Sequence, residues 1–261
     1  MLYNMISNTY ESFSKEREMD FNGKVAVITG ASSGIGLAIM KKFWEQGART
    51  VNLDLADEVF GSDLFFKGDI SDPEFLKECC EKTVERFGKI DYLINNVGDF
   101  SKRGLLSGCS YEDFMYIQKI GLAAPYTLTK LFMEHFNEDG AIVNIASTRA
   151  FMSQPDSESY AASKGGIVAM THAMAASLQG KIRVNCISPG WIDNLDSDLS
   201  EADKNQHFVK RVCCGDDIAN AVLFLCSNES SFITGQNITV DGGMTKNMIY
   251  HGDLGWNLET K

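Results

Sequence analysis

Thr29-Gly30-Ala31-Ser32-Ser33-Gly34-Ile35-Gly36 decides how this chain folds. Ahead of it, Lys24-Val25-Ala26-Val27-Ile28 is short, apolar and rich in β-branched residues, the composition of a parallel strand buried on both faces. Behind it, Leu37 to Trp44 has helical spacing and stops at Gly47. The octet is therefore a strand–turn–helix hinge with glycines spaced G-x-x-x-G-x-G. Glycine permits the tight turn and lets a pyrophosphate approach backbone N–H groups at a helix N-terminus, where the macrodipole favours an anion. Two readings follow from the spacing, a nucleotide-binding turn or a bare structural turn, and the strand and helix around it favour the first.

The bulk of the chain fits a globular α/β protein. Its 261 residues are 44% apolar and 23% charged, enough apolar side chain for a substantial core. A net charge of −11 argues against nucleic acid or an anionic membrane as partner, since both need a basic face. No apolar run approaches the roughly 20 residues of a membrane helix, and the first 22 residues lack a signal-peptide core. The seven cysteines form no C-x-x-C, and with four histidines a metal site is not expected. Several fall in apolar patterns where a reduced, buried thiol is the default. The expectation is a cytoplasmic protein with free thiols.

Taken in order, residues 1–22 read as an N-terminal extension, 23–243 as one catalytic domain and 244–261 as a tail. A second strand, Arg49 to Leu53, ends at Asp54, and nine residues then lead to a third, Leu64 to Asp69; so short a crossover must be clipped to a turn. Asp72-Pro73 opens a helix with Asp72 as N-cap. Strands follow at Ile90–Asn96, Gly140–Ala146, Lys181–Ile187 and Gln236–Val240. Between them lie a helical stretch from Ser110 to about Phe136, interrupted near Gly121 and Pro125, and helices over 157–178 and 216–227. The alternation predicts a single Rossmann-type, doubly wound parallel sheet of about seven strands with helices on both faces. Ligands of such sheets bind where the strands stop.

Asp54 stands at the tip of the second strand, where an acidic side chain accepts from both ribose hydroxyls of NAD and repels the 2′-phosphate of NADP. No Lys or Arg replaces Ser32 or Ser33, so NAD is the expected cofactor. Tyr160 and Lys164 are four apart on a predicted helix and share a face. An ammonium beside a phenol favours the phenolate, so Lys164 is expected to lower the Tyr160 pKa and make it a general acid or base. Ser147, at the mouth of the fifth strand, can hold a substrate oxygen against that tyrosine.

The glycine octet, Asn95-Asn96-Val97-Gly98, Ser147, Tyr160-Ala161-Ala162-Ser163-Lys164 and Ser188-Pro189-Gly190 resemble the short-chain dehydrogenase/reductase family in order and spacing over about residues 22–243. The resemblance implies that Ser147, Tyr160 and Lys164 are catalytic and that Lys164 also binds the nicotinamide ribose. It implies a cofactor site of Gly30, Ser32, Ser33, Gly34, Ile35, Gly36, Asp54, Asp69, Ile70, Asn96, Gly98, Pro189, Gly190, Ile192 and Asn194, with Tyr160 and Lys164. Asn194 stands where the family usually has threonine. Gly121 stands where it usually has an asparagine that holds a proton-relaying water. Either backbone carbonyls alone hold that water, or the relay is impaired and Gly121→Asn would restore it. A homotetramer or homodimer is implied too.

The substrate walls would be the loops Asp99–Cys109, Thr148–Ser159 and Trp191–Lys210. They carry Phe100, Leu105, Leu106, Phe151, Met152, Trp191 and Leu195, with Lys102, Arg103 and Arg149 nearby. Phe100, Arg149, Phe151 and Trp191 are the chosen substrate candidates. The reading is NAD-dependent interconversion of a secondary alcohol and a ketone, on a bulky ring alcohol such as a hydroxysteroid, with a substrate carboxylate meeting Arg103 or Arg149. A 3-oxoacyl-type ketoreductase, a sugar or polyol dehydrogenase and a non-catalytic NAD-binding regulator are the alternatives. The tail's Met248, Ile249, Tyr250, Leu254, Trp256 and Leu258 would cover a neighbour's surface or the protein's own pocket.

Overall fold

The computed structural model describes residues 21–101, 104–194, 197–248, 250 and 252–253. Residues 1–20, Lys102, Arg103, Leu195, Ile249, Leu254, Trp256 and Leu258, all named above, lie outside the described residues.

Seven strands form one parallel sheet in the order β3-β2-β1-β4-β5-β6-β7. They are β1 (Val25–Thr29), β2 (Arg49–Asp54), β3 (Leu64–Lys67), β4 (Ile90–Asn95), β5 (Phe136–Ile145), β6 (Ile182–Pro189) and β7 (Asn237–Val240). The order reverses between β1 and β4, so a crevice opens there at the carboxyl ends of the strands. Helices α1 (Gly34–Glu45), α2 (Pro73–Phe87), α3 (Tyr111–Gln118), α4 (Ala124–Phe132), α5 (Glu158–Ser177), α6 (Glu201–Asn205) and α7 (Gly215–Cys226) complete the fold.

The period-2 alternation of β1 sorts its side chains to two cores. Val25 and Val27 join Leu76 and Cys79 of α2, Ile117 of α3, Leu128 and Phe132 of α4 and Met174 of α5 on one face. Ala26 and Ile28 join Ile39, Met40 and Phe43 of α1 with Ile218 and Val222 of α7 on the other. Both faces of the sheet are covered, as its β-branched strands required. Asp72 caps α2 as expected, accepting from the Glu74 N–H at 3.0 Å. Five of the cysteines are buried and none is bridged; burial pushes the Cys186 thiol up to about 11.

Two expectations need correction. The helix drawn to about Phe136 ends at Phe132, and Phe136 instead opens β5, pairing with Ile90. The strand reaches that far by a bulge: the register shifts between Ile90 and Tyr92 while Asp139 takes a left-handed φ of 62°. The short helix α6 was not foreseen, although Ser200 and Asp203 form its reciprocal capping box. The interruption expected near Gly121 is a π-helical turn, Lys119–Ala123, joining α3 to α4.

Candidate active site

The glycine turn is fastened from three sides. Gly30 N–H donates to the Leu53 carbonyl at 2.8 Å. Asn96 Nδ2 donates to the Thr29 carbonyl at 3.0 Å and to the Gly30 carbonyl at 3.3 Å. Asn52 Oδ1 accepts from Ala31 N–H at 3.1 Å. A Cβ on Gly36 would overlap the Gly30 carbonyl oxygen and lie 2.7 Å from Asn96 Nδ2, so only glycine lets α1 start this close to the turn. Ser33, the N-cap of α1, makes no side-chain capping bond and is exposed, which leaves the helix N-terminus open to an anion. That opening fits a dinucleotide pyrophosphate.

Asp54 closes the neighbouring corner. Its carboxylate accepts from Ser32 N–H at 2.8 Å and from Ala56 N–H at 2.9 Å. Each oxygen keeps a lone pair for a further donor, the requirement for holding ribose hydroxyls. Beyond it, Asp69 accepts from Ser71 N–H at 2.8 Å and from the Tyr116 hydroxyl at 3.4 Å. Ile70 spends its side chain on the core, leaving only backbone to face a ligand.

Ser147, Tyr160 and Lys164 meet where β5 ends against α5. The Ser147 hydroxyl hydrogen bonds with the Tyr160 phenol and accepts from Arg149 N–H at 3.1 Å. The Lys164 ammonium lies 5.5 Å from the Tyr160 ring centroid and donates to the Ile145 carbonyl at 2.7 Å. Gly98 of the β4 loop passes so close that a Cβ there would lie 2.9 Å from Lys164 Nζ and 3.5 Å from Tyr160 Cε2. Burial lowers the Lys164 pKa from 10.5 to about 8. The expected effect of Lys164 on Tyr160 is corrected. Burial raises the phenol pKa, and the influences opposing it are the Ser147 hydroxyl and the charge of Arg149. The lysine lies over the ring and spends a donor on the Ile145 carbonyl.

On the β6 side, Gly190 packs against Asp241, and Ile192 bridges to Cys213. Asn194 reaches back to the glycine turn: a Cβ on Gly34 would lie 3.4 Å from its Nδ2. Phe100 stands edge-on to Tyr160, ring centroids 6.4 Å apart. Phe151 is exposed, while Trp191 is tilted over the buried His207 at 6.3 Å. The structure thus brings Phe100 and Arg149 to the Ser147–Tyr160 pair; among the described residues no ring contact or side-chain hydrogen bond joins Phe151 or Trp191 to it.

Two features were not read from the sequence. Asp156, at a left-handed φ of 65°, accepts from the N–H groups of Gly104, Leu106 and Ser107 at 3.0, 2.8 and 3.0 Å. With Glu158, which accepts from Leu105 N–H at 3.1 Å, it staples the β4 loop to the β5 loop. The cue was an acidic pair just ahead of α5, but its partners are too distant in sequence to pair by inspection. The second is Ser163, whose Oγ occupies the space beside Gly121; a Cβ on Gly121 would overlap it and lie 3.2 Å from Ser163 Cβ.

Glycine turn, acidic strand tip and Ser–Tyr–Lys group all gather at one end of one parallel sheet, the arrangement of a Rossmann-type oxidoreductase. Comparison with known proteins agrees: residues 30–245 match the family described as enoyl-(acyl carrier protein) reductase. The chain belongs to the short-chain dehydrogenase/reductase family, whose members bind a nicotinamide cofactor. It is 40% identical to an uncharacterized oxidoreductase of Thermotoga maritima over 87% of this chain and 98% of that one. It is 34% identical to the 3-oxoacyl-[acyl-carrier-protein] reductase FabG of the same organism, over 87% and 99%. Among solved structures, an apo SCOR enzyme from Clostridium thermocellum superposes with a TM-score of 0.85 at 44% identity, covering 92% of this chain and 100% of that one. A 3-ketoacyl-(acyl-carrier-protein) reductase from Brucella melitensis complexed with NADH gives 0.78 at 33% identity, covering 87% and 100%. Among the described residues no helix is long and apolar enough to cross a membrane.

Proposed function

We propose that this protein is an NAD-dependent oxidoreductase that interconverts a secondary alcohol and a ketone on a bulky ring substrate such as a hydroxysteroid. The observation carrying this reading is the convergence of the Ser147 hydroxyl, the Tyr160 phenol and the Lys164 ammonium beside Gly98. When bound, the nicotinamide supplies a two-electron hydride acceptor or donor. Ser147 holds the substrate oxygen. Tyr160 gives its phenol proton to the ketone oxygen during reduction and, as the phenolate, takes the hydroxyl proton during oxidation. Lys164, with a pKa near 8, exchanges a proton close to working pH. Asp54 supports NAD over NADP, because a 2′-phosphate would have to sit against its carboxylate.

Residues 23–243 are taken as the catalytic unit of a cytoplasmic homotetramer or homodimer, with 1–22 and 244–261 as appendages. A 3-oxoacyl-type ketoreductase is the second reading; the similarity to FabG supports it and Asp54 counts against its usual use of NADP. The test mixes protein with NAD or NADP and a panel of ring alcohols, linear polyols and 3-oxoacyl thioesters, following NADH or NADPH absorbance. The expected result is NAD-linked oxidation of ring alcohols, reduced at least about 100-fold by Tyr160→Phe. Preference for NADP would overturn the role of Asp54. Binding of NAD with no turnover of any panel member would leave a regulatory binding protein.

A further inference from the structure

Arg149 lies on the 3₁₀ turn Thr148–Ala150, directly after Ser147 and at the mouth of the cleft. Its N–H donates to the Ser147 hydroxyl, so the oxygen facing Tyr160 also fixes where the Arg149 side chain begins. The residue is partly buried, and its guanidinium donates to Gln154 Oε1 at 2.5 Å. Among the described residues it makes no ion pair with a carboxylate, although the chain holds 35 Asp and Glu against 24 Lys and Arg.

Three other arginines of the fold are spent, and a fourth, Arg86, lies over the Phe87 ring. Arg49 is paired with Asp63, Arg211 binds Asp217 with both prongs, and Arg183 donates to the carbonyls of Leu225, Cys226, Ser227 and Ser230. Arg149 has five N–H donors in a planar fork, and Gln154 engages one amine. A cation with open donors and no carboxylate partner favours an anion, and a planar fork favours a planar one. Arg149 stands two residues after Ser147, and its charge acts on the Tyr160 phenol, so an anion it holds lies on the same side of the site as the reacting oxygen. Phe100, edge-on to Tyr160, supplies apolar surface on the other side.

We propose that Arg149, steadied by Gln154, is the subsite for a carboxylate carried by the substrate near its reacting carbon, making the substrate a hydroxy acid, or the matching keto acid, on an apolar ring. This rests on the dehydrogenase reading above and narrows its substrate class. In the test, ring alcohols differing only in carboxylate, carboxamide or phosphate ester are compared with wild type, Arg149→Gln and Arg149→Lys. Turnover and calorimetric binding in the presence of NAD are both measured. Wild type should prefer the acid to the amide. In Arg149→Gln that preference in kcat/KM should fall about 10- to 100-fold, the effect of losing a hydrogen bond to a charged group, and the loss should fall on KM. Arg149→Lys keeps the charge without the fork and should recover part of it. An unchanged acid-to-amide ratio in Arg149→Gln would overturn the proposal, and so would a preference for the phosphate ester over the acid. If nothing turns over yet the acid alone binds and Arg149→Gln abolishes that binding, the subsite stands and the dehydrogenase reading fails. Equal binding of acid and amide would sink the subsite.

Discussion

The glycine turn and the loop rim over 104–107 stand on either side of the Ser147–Tyr160–Lys164 group, but they are held by different means. At the turn, backbone groups of Gly30, Ala31 and Ser32 are each met by a partner from β2, and Asn96 of the β4 loop pins the carbonyls. A methyl group has no room on Gly36. At the rim, Leu105 and Leu106 are 83% and 80% exposed, and their loop is held mainly by the carboxylates of Asp156 and Glu158. One half is shaped by backbone approach that no side chain can imitate. The other is shaped by side chains that can be exchanged without disturbing the sheet. A common cofactor constrains the first; a varying substrate leaves the second free.

The contrast breaks most readily at Gly36. Gly36→Ala should abolish NAD binding and destabilise the fold by about 2–4 kcal/mol, since helix α1 must shift off the turn; calorimetric titration and urea unfolding check both. Lys164→Met probes the point where the halves meet. The Lys164 pKa is lowered from 10.5 to about 8, so the folded state bears the cost of a buried ammonium. That cost is present in full below pH 8, shrinks as pH rises through 8 and is gone by about 10.5, the unfolded value. At pH 7 it amounts to roughly 3 kcal/mol, offset by about 1 kcal/mol for the bond to the Ile145 carbonyl. Lys164→Met should therefore lose activity yet melt a few degrees higher at pH 7, with the gain fading above pH 10. A variant that melts lower at pH 7 would refute this reading. The smallest change in stability should come at the rim: Leu105→Ser with Leu106→Ser should move it by less than about 0.5 kcal/mol while raising KM for an apolar ring alcohol several-fold.

What the sequence made legible follows the same division. Gly30, Gly36, Asp54 and the Tyr160–Lys164 spacing leave local marks, because backbone geometry and helical periodicity act within a few residues. The sheet and both covered faces follow from short apolar strands alternating with amphipathic helices. The end of α4 was hidden because Phe136 is apolar in either element, and the bulge at Asp139 has no glycine at that position to announce it. Helix α6 has no buried face, so apolar periodicity could not reveal it. The staple at Asp156 and the charge of Arg149 at Tyr160 depend on loops meeting in space, which spacing alone does not encode. The direction of the Tyr160 shift is hidden for the same reason: i,i+4 spacing puts Lys164 on the right face but shows neither the burial of the phenol nor the Ile145 carbonyl that accepts from the lysine.

The π-helical turn has a consequence for the history open to this enzyme. Gly121 and Ser163 share one small space, so a side chain added at the first must be accommodated by the second. A direct change of Gly121 to asparagine brings a Cβ into the space of the serine hydroxyl, which must turn aside to admit it. Ser163→Ala removes the overlapping oxygen, so a lineage that passes through it first reaches asparagine by a passable route. Positions 121 and 163 are therefore one coupled pair, and what asparagine costs at the turn depends on the residue that faces it.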